Sequence, residues 1–255
     1  MAEMSDRLAW LCRQLRLSVF LAGVVADSES ASWWQHVRGA DPETEVNQRP
    51  MKLLRQEGEF ETGRLFMLSL ADRVDWIWQA TDKPEPTQDL ATLGPFDETV
   101  EKFQSLMDNW LTICPIAVRV ALGAEVVAPV DSVDEGYERL QRYLPSLKLA
   151  PGKSSDLMYR INRPRDSKNN PGLKINRLST WSLLQGAVLS FRLAAPGGPG
   201  SSVTVSPSTR PACRLEVDIS TAPAPQIELK QSDLQALLRE FAELATQAAQ
   251  QGDVE

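Results

Sequence analysis

Histidine occurs once in the 255 residues, at His36, and cysteine three times, at Cys12, Cys114 and Cys213. One imidazole and three widely spaced thiols assemble neither a conventional zinc site nor a histidine-based triad. His36 stands beside Trp33 and Trp34, the setting of a structural or surface residue rather than a base. The thiols are odd in number, and Cys114 and Cys213 border apolar runs, so buried free cysteines in a reducing compartment are expected. Neither GxxxxGK[ST] nor GxGxxG in a strand–helix context occurs, and Gly197-Gly-Pro-Gly200 leads into serines rather than a helix. The paired acids Asp72/Asp75 and Asp131/Asp134 read as a solvated turn and as helix capping. No catalytic residue, metal site or cofactor is therefore expected.

Long apolar runs are missing too. No segment approaches the roughly 20 apolar residues that cross a bilayer. The opening residues carry Glu3, Asp6 and Arg7 where a signal peptide has a basic head and an apolar stretch. A cytoplasmic chain without a membrane partner is expected. The net charge is −7, which disfavours non-specific nucleic-acid binding by the chain as a whole but leaves room for a local basic site.

What is present is a well-patterned α+β chain. Residues 15–23 form a β-branched apolar run, followed by N-cap candidates at Ser28–Ser32 and a short helix with Trp33, Trp34 and Val37. Gly39 and Asp41-Pro42 stop it. Segments 53–61, 64–70 and 74–79 read as a meander, with Trp76 and Trp78 on the buried face. Residues 81–96 read as a loop and Asp97 as the cap of a helix. Its Val100, Phe103, Met107, Trp110 and Leu111 make an apolar stripe. A second strand–helix–meander–helix series starts at Ala117. Asp131 or Ser132 caps a helix with Val133, Tyr137, Leu140 and Leu144. Strands are expected at 157–163, 172–184, 187–193 and 214–219. Residues 195–212 read as a flexible loop, and Ser232 or Asp233 as the start of a helix whose tail frays from Gln247.

The order repeats. Residues 15–114 and 115–250 each read as β-α-β-β-β-α, with antiparallel sheets and helices packed on one face. Arg16-Leu-Ser-Val matches Arg119-Val-Ala-Leu in pattern, an offset of about 103 residues. This order resembles the duplicated helix-on-sheet saddle of the TATA-binding protein. The chain also resembles a family of sporadically distributed bacterial proteins of similar length. The residues that carry this likeness are Leu17–Val25, Asp75-Trp-Ile-Trp78, the helix around Phe103, Arg119-Val-Ala-Leu-Gly123 and Leu173-Lys-Ile-Asn-Arg177. The resemblance implies the fold, and sporadic occurrence suits a component of mobile or defence loci.

The sharpest local signal is charge. Residues 148–177 hold eight basic side chains against Asp156 and Asp166, giving +6 and leaving −13 for the rest. Paired as a hairpin, 157–163 and 173–177 would place Arg160, Asn162, Lys174 and Asn176 on one open face. Arg165 and Lys168 would lie in the loop, beside Arg163 and Arg177. These eight residues are the candidate anion or nucleic-acid site, since guanidinium and amide donors suit phosphate and carboxylate. The competing reading is a solvated hairpin whose arginines pair with the chain's own acids. Trp10 and Trp33 are the tryptophans expected to be exposed. The expectation is a non-enzymatic interaction protein with a protein partner or a second copy. Nucleic-acid or nucleotide binding through 148–177 is the alternative, and a metal-dependent enzyme a third.

Overall fold

A computed structural model describes residues 7–81, 90–184, 187–192, 202–207, 210–223 and 227–253, with 187–192 and 202–207 described as backbone. In chain order the elements are β1 (Leu11–Leu21), α1 (Asp27–Arg38), β2 (Thr44–Gln48), β3 (Leu53–Phe60), β4 (Gly63–Ser69), β5 (Arg73–Ala80), β6 (Gly94–Pro95) and α2 (Phe96–Leu111). There follow β7 (Ala117–Pro129), α3 (Val133–Tyr143), β8 (Met158–Asn162), β9 (Arg165–Asp166), β10 (Lys174–Leu184), β11 (Ala187–Arg192), β12 (Ser202–Pro207), β13 (Ala212–Thr221) and α4 (Gln231–Gln251). A 3-10 turn, Arg49–Met51, follows β2.

The strands form one 11-stranded sheet in the order β2-β3-β4-β5-β1-β7-β13-β10-β8, with β6 on β1 and β9 on β10. The pairings within it are antiparallel. β1 and β7 meet at the middle, Leu17 opposite Leu122 and Val19 opposite Val120. A separate hairpin, β11–β12, lies between β10 and β13 in the chain.

Alternation sorts the two faces. Leu15, Leu17 and Val19 of β1 turn to one side with Trp76 and Trp78 of β5, Val120 and Leu122 of β7, and Leu215 and Ile219 of β13. All are buried. The four helices of the described residues cover this side. α1 packs against α2 and β3, α3 against β10 and β13, and α4 against α2, β7 and β13. One continuous apolar core results.

The helix ends follow local chemistry. Ser132 caps α3, its hydroxyl accepting from the Glu135 N–H at 3.1 Å. Gly39 ends α1 at φ +66, where a side chain would be strained. α2 starts at Phe96, so Asp97 sits in its first turn rather than at the cap. α4 starts at Gln231, with Asp233 accepting from the Lys230 N–H at 3.0 Å.

Several expectations are corrected. Trp10 and Trp33 are buried, at 8% and 1% exposure. Trp10 closes the core from the amino-terminal side, its indole N–H donating to the Ala249 carbonyl at 2.6 Å. The same contact ties the last turn of α4 to the start of β1. α4 runs to Gln251, and both Ala249 and Asp253 are buried, so the described part of the tail does not fray. Within 195–212, Ser202–Pro207 is strand. Residues 195–201, 208 and 209 lie outside the described residues, as do 82–89 of the expected 81–96 loop. Asp75 is a buried strand residue, not part of a solvated turn. The polar edge strand β2, Thr-Glu-Val-Asn-Gln, offers too little alternation to be recognised from sequence.

Candidate functional site

The side of the sheet opposite the helices carries polar and aromatic side chains in rows set by strand register. Arg73, Phe20 and Arg119 lie abreast on β5, β1 and β7. Each guanidinium carbon is 5.1 Å from the centre of the Phe20 ring, a cation–π distance from both flanking strands. The next row is Asp75, Ser18, Ala121, Ser220 and Asn176. Asp75 is 3% exposed and anchored there. Its Oδ1 accepts from Ser18 Oγ at 2.5 Å and from Arg73 Nε and Nη2 at 3.0 and 2.9 Å.

Farther along, ion pairs cross the strands. Arg16 extends over Gly123 of β7 and reaches Asp218 of β13 at 3.5 Å; the missing side chain of Gly123 leaves its path clear. Glu125 is approached by Arg13 at 3.4 Å and by Arg214 at 3.2 Å, and Arg214 also pairs with Glu216. On β3 and β4 Arg55 and Arg64 share Glu57, and Arg55 lies 5.3 Å from the Phe66 ring centre. Such half-exposed pairs each contribute about 1 kcal/mol or less. Their effect is to fix a patterned, pre-oriented charge surface.

The basic hairpin forms, with Thr180 opposite Arg160 and Leu178 opposite Asn162. It does not bring the eight nominated residues together. Arg160, Asn162, Lys174 and Asn176 share the open face. Asn162 Nδ2 donates to Asn176 Oδ1 at 3.0 Å, and the Arg177 N–H donates to Asn162 Oδ1 at 2.9 Å. Among the described residues no acid lies within ion-pair distance of Arg160 or Lys174.

Arg163 and Arg165 turn the other way, to acids at the carboxyl-terminal end of the chain. Arg163 forks onto Asp253 through Nε and Nη2 at 2.9 and 3.0 Å, and Tyr159 donates to the same carboxylate at 2.7 Å. Arg165 Nη2 donates to Glu240 at 3.0 Å. Ser167 Oγ, the Lys168 N–H and Asn169 Nδ2 complete the shell at 2.7, 2.9 and 3.3 Å. Lys168 thus contributes its backbone, while its side chain is exposed. Burial and the neighbouring charges of Arg165 and Arg163 lower the Arg177 pKa, a sign of how tightly these cations are gathered.

Both acids titrate below their ordinary range. For Glu240 burial acts upward, but the Lys168 N–H, Ser167 and Arg165 outweigh it. For Asp253 the Arg163 hydrogen bonds dominate, against burial and with help from Tyr159. A depressed folded pKa means stability present above the unfolded value and lost as pH falls through the folded one. Acidification from about pH 6 to about pH 3 should therefore lower the urea midpoint. The fall should be smaller in a Glu240→Gln/Asp253→Asn double variant.

The remaining reactive groups are elsewhere. His36 is exposed on α1, with Nε2 3.3 Å from the Asn109 carbonyl oxygen. Cys12, Cys114 and Cys213 are free and at most 1% exposed. Burial raises all three thiols, Cys114 and Cys213 to about 12 and Cys12 further. Ellman's reagent should leave the folded protein unlabelled at pH 8 and titrate three thiols in guanidinium; rapid labelling of any native thiol would contradict this packing. Among the described residues no cluster of three or more His, Cys, Asp or Glu is placed to hold a metal ion. No described helix is long and apolar enough to cross a membrane.

The row of Arg73, Phe20 and Arg119 was not foreseen. Its members lie 46 to 99 positions apart in the chain, and only the register of β5, β1 and β7 brings them together. No protein-family model matches the sequence, and a search of curated proteins returns no match.

Proposed function

We propose that the chain is a non-enzymatic binding protein that engages a protein partner through the uncovered face of its sheet. One observation carries this reading. The helices occupy one side of an 11-stranded sheet, while the other presents arginines, amides and half-exposed Phe20, Phe66, Ile77 and Leu178. Aromatic and arginine side chains together are the composition of protein interfaces. The buried thiols, held protonated by burial, and the lone exposed histidine give a nucleophilic mechanism no support. Binding of nucleic acid through the hairpin would rest on Arg160, Asn162, Lys174 and Asn176, because Arg163 and Arg165 already hold Asp253 and Glu240.

The test is a photo-crosslinking amino acid placed at Ile77 on the open face or at exposed Glu101 on the outer side of α2, in cells of the source organism. A discrete protein adduct from position 77 and none from position 101 supports the reading. Equal adducts from both, or none from 77, overturns it.

A further inference from the structure

We infer that the partner segment is acidic and extended, and that it lies across the end of the open face with a carboxylate on Arg119. The inference rests on the proposed use of that face and names the chemistry of its partner. On the open strands Asp75, Glu125, Glu216, Asp218 and Glu57 each have an arginine within 3.5 Å. Arg119 has none. Its contacts are Ser220 Oγ, 3.4 Å from Nη2, and the Phe20 ring, and its buried Nε has no acceptor among the described residues.

Lys174 lies in the same row. The Ala222 N–H donates to the Lys174 carbonyl at 2.7 Å, and β13 pairs with β7 as far as Ser220 opposite Ala121; continuing that register by two residues places Ala222 beside Arg119 and gives the row Arg73, Phe20, Arg119, Ala222, Lys174. Asp166 stands across from Lys174 on β9, outside ion-pair distance, and closes the row. Ser220 and Asn176 border it with further polar groups. The exposed Val24 and Ile116, 62% and 45% accessible, lie at the same end of the sheet, where the Ala22 N–H donates to the Ile116 carbonyl.

The size of the row limits the occupant. Four strand spacings separate Arg73 from Lys174, about 19 Å, the length of roughly six extended residues. Arg119 sits midway, about 10 Å from each. A guanidinium suits a carboxylate, and among the described residues Arg119 holds only the Ser220 hydroxyl and the Phe20 ring. A nucleic acid is a poorer fit. Its regularly spaced phosphates would have to continue beyond the row over Asp218, Glu125 and Glu216, whereas a short acidic segment ends within it. A peptide can carry acids over the row and apolar side chains towards Val24 and Ile116.

The test uses the full chain and three labelled probes at low salt: an eight-residue alternating Glu-Ala peptide, its Lys-Ala counterpart and oligo-dT of equal length. Fluorescence anisotropy should show binding of the Glu-Ala peptide in preference to the other two. An Arg119→Gln/Lys174→Gln variant should weaken it about fivefold. Lys153→Gln, an exposed cation off this face, should leave it unchanged. Circular dichroism and thermal melting confirm that the variants fold. Absent Glu-Ala binding, affinity indifferent to the double variant, or tighter binding of oligo-dT each overturns the inference. The crosslink at position 77 is read independently, so an adduct there without peptide binding rejects the acidic segment and keeps the open-face reading.

Discussion

Trp76→Ala should lower stability by about 4 kcal/mol and the melting temperature by about 8–16 °C. Trp76 is fully buried, stacked on Trp34 at 6.1 Å between ring centres and tilted against Trp110 at 5.9 Å. Trp33 meets Trp110 edge-on at 5.7 Å. Four indoles thus join α1 and α2 to β5. The indole nitrogens of Trp34, Trp76 and Trp110 are buried without an acceptor among the described residues. Ring packing alone holds the cluster, and its loss appears as a cavity rather than as broken hydrogen bonds. Trp76→Phe refills most of that space and removes an unpaired N–H, so it should cost well under half as much. Urea titrations of the two variants measure the difference. Equal losses would show that the ring contacts are not what holds α1 and α2 to the sheet.

Glu240→Ala comes next, at about 3 kcal/mol and about 6–12 °C. Its carboxylate is the centre around which Arg165, Ser167, Lys168 and Asn169 are arranged. Ser167 in turn accepts from the Asn169 and Asn170 N–H groups at 3.2 and 3.1 Å. Without the carboxylate, three donors and the Arg165 charge lose their acceptor in a largely buried place. Glu240→Gln keeps one acceptor oxygen and should retain part of the loss. Hydrogen exchange should localise the effect, with faster exchange at Lys168–Asn170 and little change in β1 and β5. A uniform change across the sheet would contradict a local role.

The sequence shows the elements more readily than their meeting. The stripe Leu234, Leu237, Leu238, Phe241 and Leu244 announces α4, and all five residues are buried as that period requires. Alternation in β5 and in β8 and β10 likewise assigns faces correctly, including the shared face of Arg160, Asn162, Lys174 and Asn176. Three things escape it. Edge strand β2 is polar on both faces, so periodicity does not mark it. Trp10 looks exposed because its acceptor, Ala249, comes 239 positions later. The basic run at 148–177 is conspicuous, yet the acids that Arg163 and Arg165 hold lie on and just beyond the last helix. Local charge counting cannot pair them, because ion pairs of long sequence separation depend on how the final helix packs.

One side of the sheet is covered by helices and the other is open. Because the native thiols are buried, single cysteines report on it directly. Ile77→Cys and Leu178→Cys, on the open face, should react with Ellman's reagent in the folded protein within minutes. Leu65→Cys and Val217→Cys, on the covered face, should stay unreactive until denaturant is added. Protection of positions 77 and 178 equal to that of 65 and 217 would show both sides occupied and contradict the account.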